Sequence, residues 1–169
     1  MKSGKNMWAI RAGKNGCADR LFFESKVIAL EDDLLGDLSD IEPNRVAFKL
    51  AYREKHLEAS PGGSANIAGK FFRFCNEVKT SHVVIYYRLA DQHFYAAIVA
   101  GNYTFKPQAD YPHQHLVKWK ARFPKSAISV TAQRELGAAR TFFQVSRHID
   151  EINRVLEAAE SFSMEMVKE

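Results

Sequence analysis

Apolar and polar positions change period along the chain, and the changes mark its elements. Met7-Trp8-Ala9-Ile10-Arg11-Ala12 reads as a short strand stopped by Gly13, with the turn residues Lys14-Asn15-Gly16 behind it. Residues 17–25 predict a short helix with Leu21 and Phe22 inward, and residues 26–30 (KVIAL) a buried β-branched strand. Residues 31–39 read as an acidic loop. Pro43 suits the first turn of a helix, with Val46, Leu50 and Leu57 at helical spacing and Ala47 and Phe48 thickening that face. Ser60-Pro61-Gly62-Gly63 is expected to break this helix. Ser64 is expected to cap the next, over residues 65–78, with Ile67, Phe71, Phe74 and Val78 on one face.

After Thr80 the period becomes two. Residues 82–89 (HVVIYYRL) and 93–100 (HFYAAIVA) flank the turn Ala90-Asp91-Gln92 and predict a hairpin. Tyr103-Thr104-Phe105 resumes the strand pattern beyond Gly101. Residues 116–121 (LVKWKA) alternate, so Lys118 and Lys120 face one way and Trp119 the other, toward the barrel or a pocket in its wall. Residues 131–136 read as a short helix, residues 141–145 as a last strand, and residues 148–161 as a final helix capped by Ser146, with Ile149, Ile152, Leu156 and Ala159 as its core face. Residues 162–169 lack a strong pattern and read as a tail or the start of a linker. Helices early, strands in the middle and no fixed-period repeat predict one α+β domain: a small barrel of about five or six mixed strands flanked by helices. The expected division is residues 1–146 as the domain and 147–169 as a C-terminal helix and linker.

Composition narrows the function. The chain has 169 residues, 46% of them hydrophobic and 26% charged, enough for a real core and against disorder throughout. Its two cysteines, Cys17 and Cys75, have no Cys-x-x-Cys spacing and make no disulfide framework. No apolar run reaches the roughly 18 residues of a spanning helix. The polar, basic residues 1–5 lead into no signal-peptide core, so a cytoplasmic setting without membrane contact is expected. The net charge is +4, unevenly spread. Residues 27–44 hold six acids and no Lys or Arg, and residues 102–154 hold nine Lys or Arg against four acids. A basic second half suits a polyanion, although a solvated basic surface gives the same count.

Familiar catalytic patterns are missing. There is no Gly-rich phosphate loop and no Gly-x-Ser-x-Gly elbow. His113 and His115 share a parity but lack a third ligand at conventional spacing, so neither a metal nor a cofactor is expected. What remains is aromatic residues interleaved with bases. Trp8, Tyr103 and Trp119 are candidate stacking walls, and Arg11, Ser64, Asn66 and His113 are candidate edge readers. Lys106, Lys118, Lys120 and Arg122 are candidate phosphate contacts. Core packing is the competing reading for each aromatic.

The order of short motifs resembles a known family. Trp8-Ala9-Ile10-Arg11-Ala12-Gly13 with Gly16, Val27-Ile28-Ala29, and Gly36-Asp37-Leu38-Ser39 come first. Ala68-Gly69, Phe72-Arg73-Phe74, Glu77, and Ile98 through Gly101 to Tyr103 follow. His113-x-His115-x-Val117-x-Trp119 and Thr141-Phe142-Phe143 complete the series, which spans most of residues 7–146. It is similar to the N-terminal domain of Mrr-like modification-dependent restriction endonucleases, a PUA-like fold akin to EVE, YTH and SRA domains. The resemblance implies a small β-barrel that binds a modified base, flipped from DNA in preference to presented in RNA. It also implies the target-recognition part of a restriction-type system, with the nuclease on another domain or subunit and no catalysis in this chain. Two other readings stay open. One is a small metal-dependent nuclease or hydrolase using the acidic segment 31–40 with magnesium, in which Asp32 and Asp37 would be needed for cleavage. The other is a protein-interaction module presenting the acidic loop and the C-terminal helix.

Overall fold

A computed structural model of the chain describes residues 6–161. The readings made for residues 1–5 and 162–169 lie outside the described residues.

The fold is α+β. A curled mixed sheet forms a half-barrel, and five helices flank it. The elements are β1 (Met7–Ile10), α1 (Asp19–Glu24), β2 (Val27–Leu30), α2 (Arg45–Lys55), α3 (Pro61–Phe72), β3 (Val83–Arg88), β4 (His93–Val99), β5 (Thr104–Phe105), β6 (His113–Pro124), α4 (Val130–Leu136), β7 (Phe142–Gln144), α5 (Ile149–Ala158) and β8 (Glu160–Ser161). Strand order is β2-β6-β4-β3-β1-β7, with β5 and β8 also pairing to β6. β1 runs parallel to β3, in register Met7↔Val83 to Ile10↔Tyr86, and the other pairs are antiparallel.

Both faces of the sheet are covered, so β1 and β2 are buried end to end and read as continuous apolar runs. Trp8, Ile10, Tyr86, Tyr95, Val117 and Trp119 point to one side, where α1, α2 and α3 supply Phe22, Phe23, Phe48, Phe71 and Phe74. Met7, Ala9, Ile85, Phe94, Ala121 and Phe123 point to the other, against Ala132 and Leu136 of α4 and Ile152 and Leu156 of α5. α5 thus packs into the folded body rather than trailing from it.

β6 serves both cores although Val117, Trp119, Ala121 and Phe123 share one parity. Ala96 pairs with Ala121 and Ala97 with Trp119, so Lys120 is an extra residue in β6. Such a bulge reverses which side later residues face. Strict alternation breaks down at that point.

Expectations for three helices are corrected. In α2 the buried residues are Phe48 and Tyr52, while Val46, Leu50 and Leu57 are exposed. Both stripes are helical, and the aromatic one removes more area from water. Asn44 caps this helix by accepting from the Ala47 amide, leaving Pro43 outside it. α3 begins at Pro61, capped by the Ser60 hydroxyl, so Ser-Pro opens a helix where a break was expected, and Ser64 is a buried interior residue. α5 begins at Ile149 without a Ser146 side-chain cap.

Candidate functional site

A recess of about 470 Å³ opens beyond the C-terminal ends of β1 and β2. This is within the range of pockets that hold small ligands. One wall is the loop that follows β1. Gly13 and Gly16 turn it through left-handed conformations (φ +67° and +77°), and the Ala18 amide donates to Ala12 O at 2.8 Å to close it. Gly13 also lets Tyr111 come close, because a Cβ there would run into the Tyr111 hydroxyl. Tyr111 therefore lies directly over the loop. The end of β2 contributes Leu30 and Glu31, α3 contributes Lys70, and the end of β3 contributes Tyr86 and Tyr87.

A polar network holds that loop in place. Asp19, the first residue of α1, accepts from Tyr86 Oη at 2.7 Å and from Arg88 Nε at 3.1 Å. Arg88 also donates to Asp91 at 3.1 Å, and Asp91 accepts from the Tyr95 hydroxyl and the His93 amide. Burial would raise the Asp91 pKa, but the hydrogen bonds from Tyr95, Arg88 and His93 bring it below the ordinary value. Arg11 ties down the far side, its Nη2 donating to Ala138 O at 3.0 Å and Gly137 O at 3.3 Å.

Electrostatically the recess is mostly positive. Arg11, Lys14 and Lys70 line it against Glu31. Half-burial lowers the Lys70 pKa, an effect that Asp33 and Glu31 counter in part. Burial, with Glu31 close by, raises that of Tyr111. Two half-buried tyrosine rings, Tyr87 and Tyr111, beside three cations can stack a planar ligand, hydrogen-bond its edges and neutralise an adjoining anion, while the Tyr86 ring is packed in the core.

Of the candidate stacking, edge-reading and phosphate-contact residues, only Arg11 lines this recess. Trp8 is buried, donates from Nε1 to His82 Nδ1 at 3.1 Å, and stacks on Phe142 with centroids 5.0 Å apart. Trp119 is buried and donates to Phe22 O at 2.8 Å. Both are core residues, closed to a ligand. Ser64 is buried and Asn66 is exposed on α3. Lys118 and Lys120 are exposed on β6, Lys106 lies in the loop after β5, and Arg122 lines a separate groove beside α5. Tyr86, Tyr87, Tyr111, Lys14 and Lys70 were missed. Tyr86 and Tyr87 sat in a strand pattern that marks core, and only the Gly13–Tyr111 approach, 98 positions apart in sequence, reveals the pocket.

Tyr103 and His113 instead form a relay under the acidic loop. The Leu38 amide donates to Tyr103 Oη at 3.1 Å, Tyr103 Oη lies 2.7 Å from His113 Nδ1, and His113 Nε2 lies 3.1 Å from Asp32 Oδ1. One assignment satisfies all three: the Tyr103 hydroxyl donates to Nδ1, and Nε2–H donates to Asp32. Burial favours this neutral imidazole, lowering the His113 pKa against the pull of Asp32. The Asp32 carboxylate also accepts from the amides of Leu35 and Gly36, and Asp37 caps the turn at Ser39. Asp32 and Asp37 of the acidic segment therefore hold their own loop. Among the described residues, no group of three or more His, Cys, Asp or Glu is placed to share a metal ion. Nor, among these residues, is any helix long and apolar enough to cross a membrane.

Fold and recess together describe a small α+β domain with a half-enclosed aromatic, basic recess at the strand ends. Residues 8–146 match the family described as Domain of unknown function (DUF8426), and the chain belongs to that family. No curated protein and no solved structure matches it.

Proposed function

We propose that this chain is a nucleic-acid-binding module, working in the cytoplasm, that receives a modified base in the recess between the Gly13 loop and Tyr111. The observation that carries this reading is the pairing of tyrosine rings with cations around one cavity of about 470 Å³. Stacking on an aromatic ring contributes about 1–3 kcal/mol per base, and an extruded base is read along its edge by polar groups in its pocket. Tyr87 and Tyr111 supply the rings, Glu31 and Lys70 supply edge partners, and Arg11 and Lys14 stand where a flanking phosphate would pass. The motif series shared with PUA-like domains of modification-dependent restriction endonucleases supports modified DNA over RNA. It also supports a recognition role, with cleavage left to a separate nuclease domain or subunit.

The test is binding of short oligonucleotides with and without modified bases, at two salt concentrations. The expected result is salt-sensitive binding that discriminates among bases and weakens about tenfold or more in Tyr111→Ala, in line with the loss of one stacked ring. Absence of salt-sensitive binding to every oligonucleotide contradicts the reading.

A further inference from the structure

A second cluster of cations lies along α2 and α3, where Gly69 leaves room for two guanidiniums. A Cβ on Gly69 would stand 3.1 Å from Arg73 Nη1 and 3.4 Å from Arg45 Nη1. The two arginines thus flank a single buried glycine. Arg45 is held by the Phe72 ring, 5.0 Å from its centroid, and by Glu77, 3.1 Å from Nη2. Arg73 is half-buried, and among the described residues its guanidinium donates no hydrogen bond. Burial lowers its pKa first, and Arg45 and Arg140 lower it further against the single opposing charge of Glu77. Glu77 is already engaged by the more exposed Arg45, so the half-buried Arg73 guanidinium keeps a like charge beside it, a cost that a further anion would offset.

We propose that Arg45 and Arg73, facing each other across Gly69, clamp a backbone phosphodiester of the strand whose base enters the recess. This rests on the proposed function and gives it a second point of contact. In the chain the cluster neighbours two residues that line the recess: Gly69 precedes Lys70, and Arg140 precedes Thr141. Paired guanidiniums match phosphate oxygens in fork geometry. A contact of this kind adds affinity and fixes register without reading sequence.

The experiment compares the wild-type chain with Arg73→Gln and with the exposed-site variant Arg45→Gln. Each variant is expected to weaken oligonucleotide binding by about the same factor for every base tested. Each is also expected to reduce the slope of log K against log salt by about 0.7–0.9, one phosphate's share. Tyr111→Ala, by contrast, changes the ratio between bases. An unchanged slope in both arginine variants overturns the clamp. A second arm uses inorganic phosphate alone, read as the shift in thermal midpoint, and stays informative if no oligonucleotide binds. A larger upward shift in wild type than in Arg73→Gln upholds the anion site although the base-binding reading fails; equal shifts overturn it.

Discussion

At the scale of single residues, one hydroxyl joins three segments. Tyr103 Oη accepts from Leu38 N–H and donates to His113, which in turn donates to Asp32. Replacing it with Phe leaves a backbone donor and a buried imidazole nitrogen unpaired, each a desolvated polar group without a partner. Tyr103→Phe is therefore expected to destabilise the fold by about 1–3 kcal/mol. Denaturant unfolding checks this, and a loss below a few tenths of a kcal/mol contradicts the relay. Much of this chemistry is visible in sequence as residue type but not as partner. Trp8, Tyr103, His113 and Trp119 stand out as aromatic or polar groups near bases, yet whether each faces a ligand or a neighbour depends on pairings 65 to 97 positions away. Trp119 was the more legible case, since alternation with Lys118 and Lys120 already placed its ring inward.

At the scale of elements, the Glu135 carboxylate joins α4 to the start of α5. Glu135 accepts from the amides of Ser146, Arg147 and His148 and from the His148 ring, at 2.9 to 3.2 Å. Burial alone would raise its pKa, but the backbone and His148 hydrogen bonds bring it from the ordinary 4.5 down to about 2. A carboxylate with a depressed pKa stabilises the fold above its unfolded pKa, and that contribution fades as pH falls toward the folded one. Glu135 thus contributes on the order of 3 kcal/mol at neutral pH, lost between about pH 4.5 and 2. Glu135→Gln is expected to lower stability at pH 7 and to flatten this acid-side loss. Equal pH profiles for variant and wild type would count against the role. Ser146 is the residue that sequence offers as the cap, because a hydroxyl before an apolar-periodic run is a strong local signal. The Glu135 carboxylate that takes those amides comes from another helix, beyond the reach of a local pattern. The hairpin of β3 and β4 and the order of the other elements were legible, being set by local period. The buried face of α2 was not, because two stripes of similar period compete and the rest of the core chooses between them.

At the scale of the whole molecule, a sheet buried on both faces leaves the ends of its strands for function. The recess forms where β1 and β2 run out and the Gly13 loop and Tyr111 fold over the gap. Sequence composition pointed to a basic second half, yet the recess draws its cations from Arg11, Lys14 and Lys70, all in the first half. The lysines of β6 stand apart from it. The curled sheet brings early loops and late aromatics to one end. The most direct test of the account follows the amide resonances of the ¹⁵N-labelled chain as an oligonucleotide with a modified base is added. The largest shifts are expected in the Gly13 loop and at Glu31, Lys70 and Tyr111. Shifts confined to the exposed face of Lys118 and Lys120, with the Gly13 loop unmoved at saturation, would contradict it.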